Sequence, residues 1–210
     1  MAKGKLIIIT APSGAGKTTL VNALVNNDDN LRVSVSYTTR PERLGEENGI
    51  NYHFIGEKEF KDMLLAGDFL ENATVYGHHY GTSQRWVNQQ LNDGYDVILE
   101  IDWHGAAQVR TLRPDACFIF ILPPSLQALT KRLTERAQDD QRTIESRMQQ
   151  ARSVIEHVAE ADYIVVNDNF NTALKDIQAV ICSTRLAAAM QQQNLATLLE
   201  SLIKDRNPAI

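Results

Sequence analysis

Ala11-Pro12-Ser13-Gly14-Ala15-Gly16-Lys17-Thr18 is the stretch that decides the fold, because it follows the apolar run 6–10 and opens a helical pattern. A strand, a glycine-rich turn and a helix that begins with Gly-Lys-Thr form a loop that holds the phosphates of a nucleotide. Small residues let backbone N–H groups surround an oxyanion, and the first helical turn adds unpaired N–H groups. The spacing predicts that Lys17 reaches the β- and γ-phosphates and that the Thr18 hydroxyl binds Mg²⁺. The alternative is an ordinary strand–turn–helix unit in which Ser13 caps the helix.

The bulk composition is that of one globular domain. The chain has 210 residues, of which 43% are hydrophobic, and this is enough for a full core. A formal net charge of −5 argues against a general nucleic-acid or membrane surface, so any basic site must be local. No apolar stretch approaches the ~20 residues of a membrane span, and no signal peptide is expected. Cys117 and Cys182 lie in apolar patterns and are expected to be buried thiols, so we expect a cytoplasmic protein.

Short apolar runs alternate with helical patterns along most of the chain. The runs are rich in Ile, Val, Leu and Phe, as buried strands are, and they lie at 6–10, 97–101, 117–122 and 163–166. Ser125 is expected to cap the helix that follows the third run. This alternation predicts an α/β fold, in which a parallel sheet is flanked by helices on both faces.

Two segments interrupt the alternation and divide the single domain into parts. Residues 33–95 mix short strand patterns with an amphipathic helix over 57–66, which indicates an inserted α+β lobe. Residues 125–159 carry five arginines on helical sequence, which fits either a helical lid over phosphates or a solvated pair of helices. The remaining parts, assigned to the core, are 1–32, 96–124 and 160–210.

A second anion site is predicted on the inserted lobe. Arg40 and Arg43 stand three residues apart in loop-like sequence, and arginine forks donate paired hydrogen bonds to phosphate. Tyr52 and Tyr80 would add phenolic donors to the same anion. Taken singly, each tyrosine is more typical of a core aromatic with a hydrated tip.

Three further residues of the lobe match the edge of a guanine base. The Glu71 carboxylate would accept from the N1–H and 2-amino donors of guanine, and Ser36 or Thr82 would meet its O6. Adenine lacks this pair of donors, so the set would reject it. Taken alone, Glu71 is better explained as a surface charge at the end of a helix.

The strand that ends near residue 101 carries two carboxylates on one face. Glu100 and Asp102 lie two residues apart at the carboxyl edge of the sheet, where α/β folds place ligands. An apolar strand that ends in acid is the second half of the magnesium chemistry of such loops. The alternative for Asp102 is a structural cap on the next helix.

Together these features resemble guanylate kinase, the bacterial nucleoside-monophosphate kinase family, over about residues 5–186. The motifs that carry the resemblance are the phosphate loop 11–18, Ser36-x-Thr38-Thr39-Arg40, Arg43-x-Gly45-Glu46, Gly49-x-x-Tyr52-x-Phe54, Phe69-Leu70-Glu71, Tyr80-Gly81-Thr82-Ser83, Glu100-Ile101-Asp102-x-x-Gly105, 120–125, Arg132-Leu133-x-x-Arg136, Arg147 and Val166-Asn167-Asp168.

The resemblance implies a phosphate-loop core, a GMP-binding lobe and a lid, with Mg²⁺-dependent transfer of the ATP γ-phosphoryl group to GMP, and also to dGMP. The residues implied to bind ATP are Ser13, Gly14, Ala15, Gly16, Lys17, Thr18, Thr19 and, near the adenine, Asn167. Those implied to bind GMP are Ser36, Arg40, Arg43, Tyr52, Glu71, Tyr80, Thr82 and Glu100. Lys17, Arg132, Arg136 and Arg147 are implied to act on the transferring group, and Thr18 and Asp102 to serve Mg²⁺.

Two other functions share parts of this pattern. A sugar-phosphate kinase on the same scaffold would keep the loop but lack the base-reading set of Ser36, Glu71 and Thr82. A non-catalytic interaction domain would typically lack Lys17. The leucine pattern near residues 195–203 fits packing within the subunit, or else a homo-oligomer surface.

Overall fold

The computed structural model describes residues 3–75, 77–135 and 141–204, with 141–144 described by backbone alone. The strands in these ranges are β1 (Leu6–Thr10), β2 (Leu31–Val33), β3 (Tyr37–Thr38), β4 (His53–Phe54), β5 (Phe69–Val75), β6 (His78–Ser83), β7 (Asp96–Glu100), β8 (Cys117–Leu122) and β9 (Tyr163–Val166). The α-helices are α1 (Lys17–Asn26), α2 (Glu57–Ala66), α3 (Gln84–Asn92), α4 (Trp103–Leu112), α5 (Leu126–Glu135), α6 (Gln141–Glu156), α7 (Phe170–Leu186), α8 (Ala188–Asn194) and α9 (Ala196–Lys204), and a 3-10 turn spans His157–Glu160.

The core is a five-stranded parallel sheet in the order β2-β7-β1-β8-β9. The predicted parallel sheet is confirmed, and the four apolar runs form β1, β7, β8 and β9 to within a residue. All five residues of β1 are buried, as expected of a central strand with helices on both faces. The carboxyl ends of β1, β7 and β8 meet at one edge, where the phosphate loop begins.

Helices cover both faces of the core sheet. On one face, α1 and α7 pack against Ile7, Ile9 and Ile119. On the other face, α3 and α4 pack against Ile8 and Phe118. The predicted boundary between the lobe and the core at residue 95 stays a proposal. Helix α3, which precedes that boundary, contributes buried side chains to the core.

The inserted lobe has a separate four-stranded sheet in the order β4-β3-β6-β5. Its strands are mixed in direction, because β3 is parallel to β4 while β5 and β3 are both antiparallel to β6. Helix α2 packs on this sheet through Phe60, whose ring stacks on Phe69 at 4.6 Å between centroids. Strand β5 also contacts helix α4 of the core, so the lobe meets the core at this strand.

The remaining helices differ in how they pack. Leu129 and Leu133 of α5 bury against Ala151 of α6, and Ser125 accepts a hydrogen bond from the Ala128 N–H at 3.0 Å, as its predicted cap requires. The leucine-patterned tail begins at Leu195, directly after α8, and continues through α9, and its leucines are exposed. Cys117 is buried as expected, but the expectation for Cys182 is wrong: it is exposed, because it lies one residue past the inward-facing side chain of α7. Within the described residues, no helix is long and apolar enough to cross a membrane.

Candidate active site

The phosphate loop connects β1 to α1 through two residues with left-handed backbone. Gly14 has φ of 87° and Gly16 has φ of 91°, a region that disfavours residues with a Cβ. Helix α1 starts directly after Gly16, where the Leu20 N–H donates to the Gly16 carbonyl at 3.1 Å. The loop backbone therefore turns sharply and leaves the first turn of α1 at the carboxyl edge of the sheet. Ser13, Thr18 and Thr19, which were predicted to contact ATP, are exposed here.

Asn167 braces this loop from the end of β9. Its amide Nδ2 donates to the Ala15 carbonyl at 2.8 Å, and its side chain is buried. A Cβ on Gly16 would collide with that amide nitrogen, so a side chain at position 16 would displace the brace. The Asn167 backbone N–H is itself fixed to the Leu122 carbonyl at 2.8 Å. Asn167 thus contacts the phosphate loop, and its predicted contact with adenine remains a prediction.

Lys17 lies inside the site and is surrounded by acceptors. Its Nζ donates to the Ile101 carbonyl at 3.2 Å, and the Thr10 hydroxyl donates to the same carbonyl at 3.0 Å. The Glu100 carboxylate is 4.0 Å away. Burial lowers the pKa of Lys17, while the charges of Glu100, Asp102 and Glu71 act in the opposite direction. Lys17 therefore has Glu100, Asp102 and Glu71 as charged neighbours at the point where the two predicted sites meet.

Glu100, at the end of β7, and Asp102, two residues later, have different hydrogen-bond partners. The Glu100 carboxylate accepts a hydrogen bond from the Thr18 hydroxyl, so a residue predicted to bind GMP is in direct contact with one predicted to bind Mg²⁺. Asp102 is the N-cap of α4 and accepts from the Gly105 N–H at 3.0 Å. Its other oxygen lies 3.0 Å from His104 Nδ1. The capping alternative for Asp102 is therefore realised, and a role toward Mg²⁺ remains a prediction.

Glu71 is a buried carboxylate at the boundary of lobe and core. It is 3% exposed and accepts from the Thr82 hydroxyl at 2.5 Å, across the β5–β6 pair. Burial raises the pKa of Glu71 to about 7; the Thr82 hydrogen bond opposes this rise, and Asp102 adds to it. The surface-charge alternative is wrong, because the side chain points into the protein. Ser36, the third member of the predicted base-reading set, is half-buried just before β3.

The predicted anion clamp gathers on the lobe sheet. The Arg40 guanidinium is 8% exposed, and its Nη2 donates to both Glu46 oxygens, at 2.7 and 2.9 Å. It lies 5.3 Å from the Tyr52 ring centre and has a side-chain hydrogen bond with Tyr80. Burial raises the pKa of Tyr52, which keeps its phenol protonated as a donor. Arg43 is exposed and touches Glu46 through its backbone N–H, at 2.9 Å.

The predicted lid arginines lie in different settings. Arg132 of α5 donates from Nη2 to the Asn167 carbonyl at 2.9 Å. Its Nη1 is buried without a hydrogen-bond partner among the described residues. Arg147 is half-buried on α6, and Arg136 lies outside the described residues.

Two contacts of the site were not found from the sequence. Glu46 was noted as part of a motif but not as the partner of Arg40. The Asn167 amide was not linked to Ala15, since 152 residues separate the pair. Arg40 and Glu46 are six residues apart in loop-like sequence, so the first contact had no local signal either.

Comparison with known proteins agrees with this arrangement. A family model described as guanylate kinase matches residues 3–184. A guanylate kinase of Methylobacillus flagellatus is 53% identical over 201 residues, which cover 96% of this chain and 100% of the relative. One from Hahella chejuensis is 51% identical and covers 99% of this chain and 100% of the relative. A crystal structure of guanylate kinase from Anaplasma phagocytophilum has a TM-score of 0.77 at 28% identity, covering 92% of this chain and 94% of that one.

Proposed function

The chain belongs to the guanylate kinase family, and from this premise we propose how its residues transfer the γ-phosphoryl group of ATP to GMP. The reaction gives ADP and GDP. The observation that carries the assignment of roles is the buried Glu71–Thr82 pair beside Lys17. It supports these roles because the Glu71 carboxylate lies within electrostatic reach of the phosphate-loop lysine.

Glu71, Thr82 and Ser36 select the guanine base in this proposal. The Glu71 carboxylate accepts from N1–H and the 2-amino group. The Thr82 hydroxyl donates its proton to Glu71, so the Ser36 hydroxyl is the member of the set that would donate to O6. An adenine in the same place would bring no donors to the remaining lone pairs of the buried carboxylate, which is costly. Glu100, predicted to touch GMP, is already engaged with Thr18 and is better suited to the magnesium side of the site. We also propose that the enzyme accepts dGMP as well as GMP, because none of the residues given a role above contacts the ribose.

Arg40, Arg43, Tyr52 and Tyr80 hold the GMP phosphate. Glu46 occupies Nη2 of Arg40, which donates to its two oxygens at 2.7 and 2.9 Å, while Nη1 donates to the Pro41 carbonyl at 2.7 Å. The GMP phosphate would bind beside Glu46 or exchange with it, and the exposed Arg43 side chain would reach the same anion. The tyrosine hydroxyls would complete the set of donors.

ATP would bind along the phosphate loop 11–18, with Thr19 beside its phosphates. Asn167, which is fixed to Ala15, would lie beneath the nucleotide. The residues present fit Mg²⁺, since this ion prefers one or two carboxylates together with substrate phosphates. Thr18 and Glu100 would hold it, with Asp102 in the surrounding shell. When bound, Mg²⁺ would neutralise charge on the β- and γ-phosphates.

Phosphoryl transfer then needs positioning more than acid–base chemistry. A GMP phosphate oxygen attacks the γ-phosphorus, and the bond from that phosphorus to the β,γ-bridging oxygen breaks to release ADP. The attacking oxygen is already anionic, so no side chain has to remove a proton. Lys17 and Arg132, with Arg136 and Arg147, would stabilise the charge on the transferring group. Nη1 of Arg132, which has no hydrogen-bond partner among the described residues, would donate to a phosphate oxygen.

The setting of the enzyme is also part of the proposal. We infer a cytoplasmic enzyme of nucleotide metabolism whose partners are ATP and GMP rather than nucleic acid or membrane. The exposed leucines at 195 and in α9 would form the contact of a homo-oligomer.

A substrate panel tests the proposed function. The purified protein is offered ATP with GMP, dGMP, AMP, UMP or ribose 5-phosphate, with and without Mg²⁺, and ADP formation is followed. We expect turnover with GMP and dGMP that requires Mg²⁺ and far slower turnover with the others. Equal turnover of AMP and GMP would refute the base-reading assignment, and rapid turnover of ribose 5-phosphate would favour the sugar-phosphate alternative.

A further inference from the structure

The carboxylate proposed to read guanine lies on a strand with an open edge. Strand β5 is the last strand of the lobe sheet, so only β6 pairs with its backbone within that sheet. Backbone N–H and C=O groups on the open side need other partners. At Asn72, directly after Glu71, these partners come from one side chain of the core.

That side chain is Gln108 of α4. Its Oε1 accepts from the Asn72 N–H at 3.1 Å, and its Nε2 donates to the Asn72 carbonyl at 2.7 Å. The primary amide thus copies the two hydrogen bonds that a neighbouring strand would make. It joins the core and the lobe at the residue that follows Glu71.

The same face of α4 also touches the Glu71 carboxylate. Gly105 lies three residues before Gln108, and residues with this spacing share a helix face. A Cβ on Gly105 would collide with Glu71 Oε2, so glycine is what lets the helix approach so closely. The helix itself is fixed in the core, since Asp102 caps it and Ala106 and Val109 are fully buried.

We propose that Gln108 is a positioning residue for guanine selection, which holds β5 at the depth where Glu71 faces the base. This inference rests on the proposed function and adds a specificity-determining residue outside the site. Gln108 contacts no substrate. It acts through Asn72 on the neighbouring Glu71, whose two acceptor oxygens must line up with two adjacent donors on guanine.

If the two hydrogen bonds between Gln108 and Asn72 are lost, recognition of the 2-amino group of guanine should weaken first. Hypoxanthine keeps N1–H and O6 but lacks the 2-amino group, so IMP reports on that one hydrogen bond. If β5 shifts, Glu71 no longer meets both donors, and GMP loses more than IMP does. The phosphate loop lies on other elements of the core, so ATP binding should not respond.

The test is the variant Gln108→Met, which keeps the length of the side chain but removes both hydrogen bonds. Steady-state KM values for GMP and ATP are measured, together with kcat/KM for GMP and IMP. The matched control is Gln178→Met, the same change at an exposed position of α7. Glu71→Gln is measured alongside, to test the role of the carboxylate itself.

For Gln108→Met we expect the KM for GMP to rise about tenfold, as loss of two modest hydrogen bonds predicts. The KM for ATP should stay within about twofold, and the preference for GMP over IMP should fall about fivefold. A KM for GMP like that of the control, or an equal rise in both KM values, would overturn the proposal while the proposed function stands. If Glu71→Gln itself leaves GMP selection intact, then the role of Glu71 fails and the role of Gln108 fails with it.

A second variant keeps the proposal testable if the first does not fold. Gln108→Glu retains an acceptor for the Asn72 N–H but places a carboxylate against the Asn72 carbonyl. The KM for GMP should rise again while that for ATP stays unchanged. An unchanged preference for GMP over IMP in this variant would also count against the proposal.

Discussion

Replacement of Glu71 by glutamine should make the protein more stable at pH 8 and at the same time abolish its selection of guanine. Glu71 is buried, and its carboxylate accepts a hydrogen bond from the Thr82 hydroxyl at 2.5 Å. Glutamine has nearly the same shape and still offers an oxygen to Thr82, but it carries no charge. The change therefore removes the ionisation of the side chain and little else from the fold.

The size of the effect follows from the pKa of Glu71. Burial raises this pKa from its ordinary 4.5 to about 7, so the folded protein binds the proton more tightly than the unfolded chain. The contribution of Glu71 to stability is then fully present below pH 4.5 and is lost as the pH rises through 7. At about 1.4 kcal/mol per pH unit, this interval corresponds to a loss of about 3 kcal/mol above pH 7. The glutamine variant escapes that loss.

The assay is denaturant or thermal unfolding of wild type and Glu71→Gln between pH 5 and 8. We expect the advantage of the variant to grow from less than about 1 kcal/mol at pH 5 to about 3 kcal/mol at pH 8. For a domain of this size, the larger figure raises Tm by about 6–12 °C. Glu59→Gln, at an exposed position of α2, is the control and should show no such trend. In the same samples kcat/KM for GMP should fall at least about 100-fold in Glu71→Gln.

The reasoning would be refuted by an advantage that does not depend on pH, or by a variant that is less stable than wild type at pH 8. Either result would mean that Glu71 is well solvated or charge-paired in the folded protein. Retention of guanine selection by a stabilised variant would separate the two claims. It would leave the burial argument intact and remove Glu71 from the base-reading set.

Three further predictions follow from other parts of the site and fold. Lys17→Ala should lower kcat at least about 100-fold with little change in GMP binding by calorimetry, because the lysine acts on the transferring phosphoryl group; near-normal turnover would refute this role. Asp96→Asn should lower the free energy of unfolding by about 2–3 kcal/mol, since a buried carboxylate that accepts from the Lys5 N–H and Arg185 Nε, both at 2.6 Å, is lost; the exposed Asp115→Asn serves as a control and should change stability by less than about 1 kcal/mol. The preference for GMP over AMP, as a ratio of kcat/KM values, should increase between pH 6 and 8 as Glu71 ionises, and a ratio that falls or stays flat would contradict the pKa of about 7.

Local sequence patterns predicted the features that depend on local chemistry. Buried parallel strands are continuous apolar runs, so β1 and β8 could be located from composition alone. Helix α2 matches its predicted range of 57–66 because its apolar spacing ends at Gly67, which closes the helix with a left-handed backbone. The phosphate loop was found because its chemistry needs small residues and a lysine at fixed spacing.

The features that the sequence did not reveal depend on contacts between distant parts of the chain. Gln108 and Asn72 are 36 residues apart, and Arg185 reaches Asp96 across 89 residues. Neither pair has a local signature, because a glutamine or arginine on a helix is usually solvated. For Asp102 the local pattern fitted both a helix cap and a metal ligand. The structure shows the cap, because Asp102 Oδ1 accepts a hydrogen bond from the Gly105 N–H at 3.0 Å.

The buried carboxylate explains why selection for guanine can be strong although few groups touch the base. An ionised Glu71 receives a hydrogen bond from the Thr82 hydroxyl, but as a buried carboxylate it can accept further donors, and N1–H and the 2-amino group of guanine are such donors. Adenine offers none at those positions, so its binding would remove the remaining water without replacing the lost hydrogen bonds. Discrimination therefore comes from the penalty against the wrong base more than from a gain with the right one. Because only the ionised form carries that penalty, the raised pKa of Glu71 ties selectivity to pH, and the neutral acid, which can donate to adenine N1, is the less selective form.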